Sequence, residues 1–199
     1  MYVIGHLALG YIFARLVNKE KTLDIPLVWI LSILPDIDFI IPQLKHRGPT
    51  HSLILPIILF IPFFIIKGRK MTPYFLALTS HSVIGDYFTS YGVTLFWPID
   101  RKFFSFISTI NTGTILESII ELILFSIMVI TIILYKDNEN SLYILKNIVP
   151  ISFFIIVIQL ISINYIYSIP HIILIPNILI IFIVTTSYSV LIIKKIITK

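Results

Sequence analysis

The chain has 199 residues, 57% of them hydrophobic against 13% charged, with no cysteine and a formal net charge of +5. A soluble domain carries about 45–50% apolar and about 25% charged residues, so this composition points to an integral membrane protein without a large soluble domain. Disulfides and thiolate ligands are excluded, any metal falls to imidazole and carboxylate, and the cations sit in short breaks between apolar runs, which speaks for membrane topology and against nucleic acid.

Apolar runs predict helices over 3–17, 24–41, 51–66, 72–92, 114–135, 147–168 and 171–193. The expected fold class is therefore all-α, a polytopic transmembrane bundle of six or seven helices, since about 20 apolar residues cross about 30 Å of hydrocarbon. The first run carries Gly5, His6 and Arg15 and also suits an interfacial segment, which is why six spans is the alternative. It lacks a basic leader and a small-residue cleavage site and is expected to stay. Between the fourth and fifth runs, residues 93–113 mix Phe96, Trp97, Phe103, Phe104 and Phe106 with Arg101 and Lys102, a composition suited to the headgroup layer. No repeat or linker divides the chain. It reads as a single integral membrane domain, 1–199, with site-bearing helices in 1–125 and Ile-rich packing helices in 126–199.

If seven spans cross, eleven of the fifteen Lys and Arg residues fall on one side, with Lys45, Arg47, Arg101 and Lys102 on the other. The N-terminus is then expected outside and the C-terminus in the cytoplasm, in the plasma (inner) membrane. On that map His6, Asp36, Asp38, His46, His51, His81, Asp86 and Glu117 gather on the less basic, extracytoplasmic side. Such groups are costly near hydrocarbon, about 2.5–3.5 kcal/mol for Asp or Lys at a helix centre, and need pairing, water or a cation. A divalent ion would neutralise the carboxylates, and His with Asp or Glu suits Zn²⁺, Mn²⁺ or Fe²⁺, with enough ligands for more than one ion.

Spacing qualifies the set. Asp36 and Asp38 point to different sides of an ideal helix and converge only at an irregular helix end. His81 and Asp86, five apart, are separated by about 140° on an α-helix and converge with a π-bulge near Gly85. Glu117 and Glu121 share a face, Glu117 being the ligand or base and Glu121 its support. Taken singly, each has a plainer reading: Asp36 as a helix terminator, His81 as a hydrogen-bonded structural group, Arg47 as an interfacial anchor or a clamp on an anionic phosphate. Asp24, Asp100 and Asp137 read as solvated loop residues. His171 reaches the same face in the tail.

Gly5-His6-Leu7, Leu34-Pro35-Asp36-Ile37-Asp38, His46-Arg47-Gly48-Pro49-Thr50-His51-Ser52, Ser80-His81 with Asp86, Gly92 followed by Leu95-Phe96-Trp97-Pro98, and Glu117 together resemble the YdjM-type family of membrane-bound metal-dependent hydrolases. The likeness covers about residues 1–121, and its most specific string is H-R-G-x-T-H-S. More distantly the chain is similar to the zinc phospholipase C and P1-type nuclease group, which builds zinc sites from His, Asp and Glu on several helices and cleaves phosphate esters. It departs from that pattern in having four residues, not three, between His81 and Asp86.

The resemblance implies a membrane-embedded metal-dependent hydrolase that acts through a metal-activated water, and the expected position of the site at membrane depth beside the aromatic and cationic 93–113 segment points to a phosphoester of a lipid headgroup as substrate. Its expected metal ligands are His6, Asp36, Asp38, His46, His51, His81 and Asp86, with Glu117 and Arg47 catalytic and membrane lipids as surroundings. Two other classes stand beside it: a transporter or channel relaying ions or protons, and a non-catalytic structural membrane protein.

Overall fold

A computed structural model describes residues 1–19, 23–39, 41–88, 91–106, 114–135 and 137. The expected helices over 147–168 and 171–193, and His171, lie outside them. Five α-helices are described: α1 (Val3–Val17), α2 (Ile25–Ile33), α3 (Ile54–Lys67), α4 (Thr72–Ser80) and α5 (Ile115–Leu134).

α1 is the centre of the assembly. Its residues from Val3 to Tyr11, with Ala14 and Arg15, are buried, and α2, α4 and α5 pack round it. The core joins Ala8, Tyr11 and Ala14 to Val28 of α2, Ala77 of α4 and Met128 of α5. Small residues set the spacing: a Cβ on Gly10 would lie 2.3 Å from Cβ of Ser32, so α1 and α2 meet closely only because that position is glycine. The start of α1 is closed from outside itself. Glu121 of α5 accepts the backbone N–H of Tyr2 and that of Gly5 at 3.1 Å, two of the groups that a helix N-terminus leaves without intrahelical partners.

Two departures from regular α-helix bear on the site. Pro35 has no N–H to offer Leu31, so α2 ends at Ile33, the Leu34 N–H bonds Leu31 O, and Leu34–Phe39 tighten into a 3₁₀ segment. Asp24 caps the other end of α2 by accepting from Leu27 N at 3.2 Å. After α4 the chain runs on through a π turn, His81–Asp86.

The expected six- or seven-span transmembrane bundle, N-terminus outside and C-terminus cytoplasmic, is not what the described residues form. Among them no helix is long and apolar enough to cross a membrane. α1 to α4 have 15, 9, 14 and 9 residues; at about 1.5 Å per residue they cover about 14–23 Å of the about 30 Å needed. α5 has 20 residues, with buried Glu117 and Glu121 in its first two turns. The apolar runs in the sequence are broken by Pro35 and by the π turn, which the run lengths alone do not reveal. The count of cations per side presupposed the crossings and falls with them.

Asp137 is not a solvated loop residue. It is buried beneath the C-terminal end of α1, where Arg15 Nε donates to its Oδ2 at 2.9 Å, and Arg15 Nη2 and the Tyr11 hydroxyl complete its partners. Arg15 also stands over the Tyr135 ring, 5.2 Å from its centroid. Removing one member of such a pair leaves an uncompensated buried charge, at a cost of about 3–5 kcal/mol. Asp137→Asn is therefore expected to lower Tm by about 6–20 °C, measured by thermal unfolding in detergent, and the double replacement Arg15→Met with Asp137→Leu is expected to recover most of the loss.

Candidate metal centre

Two short irregular segments and the π turn bring the site together. The 3₁₀ segment carries Asp36 and Asp38, the turn Pro49–His51 carries His51, and the π turn carries His81 and Asp86. A π turn returns to the same face after five residues where an α-helix does so after four, and so it turns His81 and Asp86 the same way. Gly85 makes room inside it: a Cβ there would lie 2.5 Å from Cε1 of His6.

Asp36, His51, His81 and Asp86 are all buried and each offers an atom within 4.8 Å of the others. The separations that involve the two imidazoles run from 3.1 Å (His51 Nε2 to His81 Nε2) to 3.6 Å (His81 Nε2 to Asp86 Oδ2). Four ligands at about 2.0–2.2 Å from a tetrahedral Zn²⁺ stand about 3.3–3.6 Å apart, so the donor set fits a single cation in both spacing and type. His81 is held by its other nitrogen, Nδ1, against the Ser32 carbonyl at 2.7 Å, the kind of support that orients a metal-binding histidine.

A second group, Asp38, His46 and His51, meets the same geometric condition. It shares His51 through the opposite nitrogen: Nδ1 lies 3.3 Å from Asp38 Oδ2. Asp38 further contacts His46 Nδ1 at 3.1 Å and accepts from the Arg47 N–H at 3.1 Å and the Thr50 hydroxyl at 2.9 Å. The two aspartates that point apart on a helix thus serve the two sides of one ring. His46 is only half-buried.

The electrostatics follow from this crowding. Burial by itself raises a carboxyl's pKa, yet the charge of His81 and the hydrogen bonds of His51 and His81 hold Asp36 well below its ordinary range. Burial is likewise outweighed at Asp38, where hydrogen bonds from His46 and His51 bring the carboxyl down to about 2. Burial disfavours a charged His51, but hydrogen bonds to Asp36, Asp38 and Asp86 raise it well above the usual imidazole value. A divalent cation among these groups would balance the same buried carboxylates.

The remaining predicted residues flank these groups. His6 stacks on His81 with ring centroids 3.6 Å apart, and its Nε2 is 3.6 Å from Asp86 Oδ1; it belongs to neither group. Arg47 Nη2 reaches the same Asp86 oxygen at 3.1 Å. Its backbone has φ of +63°, a region that non-glycine residues rarely adopt, held by Asp38 on its N–H and by Thr94 N on its carbonyl at 3.1 Å. The Met1 amino group lies 3.2 Å from Asp86 Oδ1 and 3.4 Å from Glu117 Oε1, which sets Glu117 one bridging amine away from Asp86. Two contributors escape sequence reasoning. Thr50 stands inside the most specific string but gives no sign of reaching Asp38, and the Ser32 carbonyl, being backbone, leaves no mark at all.

Among the described residues, helices enclose a buried His and Asp cluster that could hold a cation, and α3 and α5 turn aliphatic faces outward. The chain belongs to the YdjM inner membrane protein family, whose family model matches residues 1–192. A membrane location accompanies that membership, and the family's description names no activity. No curated protein and no solved structure matches the chain.

Asp38→Asn is expected to weaken divalent-cation binding at this cluster by about 10–100-fold by releasing His51, whereas Asp86→Ala takes away one of its four donors and weakens it further. Competition with a chromogenic chelator measures both, and equal effects for the two variants would show that Asp38 is itself a ligand.

Proposed function

We propose that this protein is a metal-dependent hydrolase of phosphoesters, with Zn²⁺ held by Asp36, His51, His81 and Asp86. The observation that carries this reading is the 3.1–3.6 Å spacing of the His51 and His81 Nε2 atoms from each other and from one oxygen each of Asp36 and Asp86, with the Arg47 guanidinium on the other oxygen of Asp86. Two imidazoles and two carboxylates without thiolate suit Zn²⁺, with Mn²⁺ or Fe²⁺ as the other ions of this ligand class. A bound divalent ion would supply Lewis acidity, lowering the pKa of a water and drawing charge from a phosphoryl oxygen.

The chain's own residues supply the rest. Asp38 and Thr50 fix the orientation of His51 through Nδ1, and the Ser32 carbonyl does so for His81. With Nδ1 of His51 engaged in that way, one ion is the assignment. Arg47 presents a planar fork of donors to an anionic phosphate, its backbone locked by Asp38 and Thr94. Glu117 is the carboxylate assigned to take a proton from the attacking water. His6 walls the site by stacking on His81.

Purified protein is expected to hold about one zinc per chain by elemental analysis and to hydrolyse bis(p-nitrophenyl) phosphate. Removing the metal with a chelator should abolish turnover, and readdition should restore it. Arg47→Ala is expected to lower kcat by about 10²-fold, as loss of a preorganised charge-stabilising donor does. Metal content well under one per chain after zinc supplementation would sink the proposal.

A further inference from the structure

Beside the cation cluster lies a half-open groove of about 240 Å³ between α1, the π turn and α5. Its walls are Leu9, Ile84, Phe88, Ile120 and Leu124, and Gly85 and Glu117 also line it. Gly85 is the residue before Asp86, and Glu117 is one amine from Asp86. The space is half open and its lining is almost wholly apolar, so an apolar group that enters it leaves water. Apolar walls accept only an apolar group without a desolvation cost, while the neighbouring Arg47, reaching Asp86, draws an anion.

We infer that the substrate is an amphiphilic phosphoester whose apolar chain lies in this groove while its phosphate faces Arg47 and the cation cluster. The inference rests on the phosphoesterase reading of that cluster and adds the class of substrate. The groove is large enough for several methylenes of an alkyl chain. Each one buried contributes about 0.8 kcal/mol, or about fourfold in affinity. α1 and α5 thus measure the chain while the cluster reads the head.

The test is a series of monoalkyl phosphates from two to twelve carbons, with inorganic phosphate and octanol as controls, titrated by calorimetry against zinc-loaded protein in amphipol. Affinity is expected to rise about fourfold per methylene and to level within the series, once the groove is filled. Ile120→Trp should make it level at a shorter chain while leaving zinc content and inorganic phosphate binding unchanged. Leu124→Phe, a smaller addition, serves the same purpose if the tryptophan lowers zinc content. A flat series, or octanol binding as tightly as octyl phosphate, overturns the inference. The hydrolase reading is separated by following phosphate release from the same esters: chain-length-dependent binding without release upholds the groove and defeats the hydrolase, and release without chain-length dependence does the reverse.

Discussion

The His51 imidazole, fully buried between two aspartates, is the interaction on which the rest of the site depends. A single ring offers two nitrogens pointing in opposite directions, and this protein uses both. Nε2 meets Asp36, His81 and Asp86, while Nδ1 meets Asp38 and the Thr50 hydroxyl. Burying several carboxylates together is unfavourable unless positive charge is buried with them. That requirement explains why histidines from three separate segments, an arginine in a left-handed backbone conformation and an amino group all turn to one point.

The helices serve this point by being irregular. A regular α-helix would carry Asp38 away from His51 and Asp86 away from His81. The 3₁₀ segment after Pro35 and the π turn before Tyr87 each change the residues per turn, and they do so only at the ligands. Gly85 is the steric counterpart, since it lets the His6 ring close over the π turn. These irregularities also end α2 and α4 at nine residues each, and no described helix is long and apolar enough to cross a membrane.

At the other end of α1 the Arg15 and Asp137 pair repeats the theme in a different key. It ties the end of α1 to the residues after α5, and Glu121 ties the start of α1 to α5. The central helix is therefore fixed at both ends to one partner, which holds His6 and the groove wall at Leu9 in register with the cluster. The pair contributes geometry more than stability, because desolvating both charges offsets most of their attraction.

Much of this was legible in the sequence. Composition pointed to a membrane protein, in keeping with the inner membrane family, and apolar periodicity located α1, α3 and α5 to within a few residues, because burial demands follow directly from residue type. The strings around Asp36, His51 and His81 marked the candidate ligands, and the five-residue step from His81 to Asp86 asked for the π turn. The tertiary structure alone decided the rest. It sorted Asp36 from Asp38 by the nitrogen of His51 that each meets, turned Asp137 from a loop residue into the buried partner of Arg15, and set Glu121 over the N-terminus of α1. It also broke long apolar runs into short helices. Hydrophobic pattern records which residues leave water, whereas which buried groups meet, and where a helix breaks to let them meet, depends on distances between segments far apart in the chain.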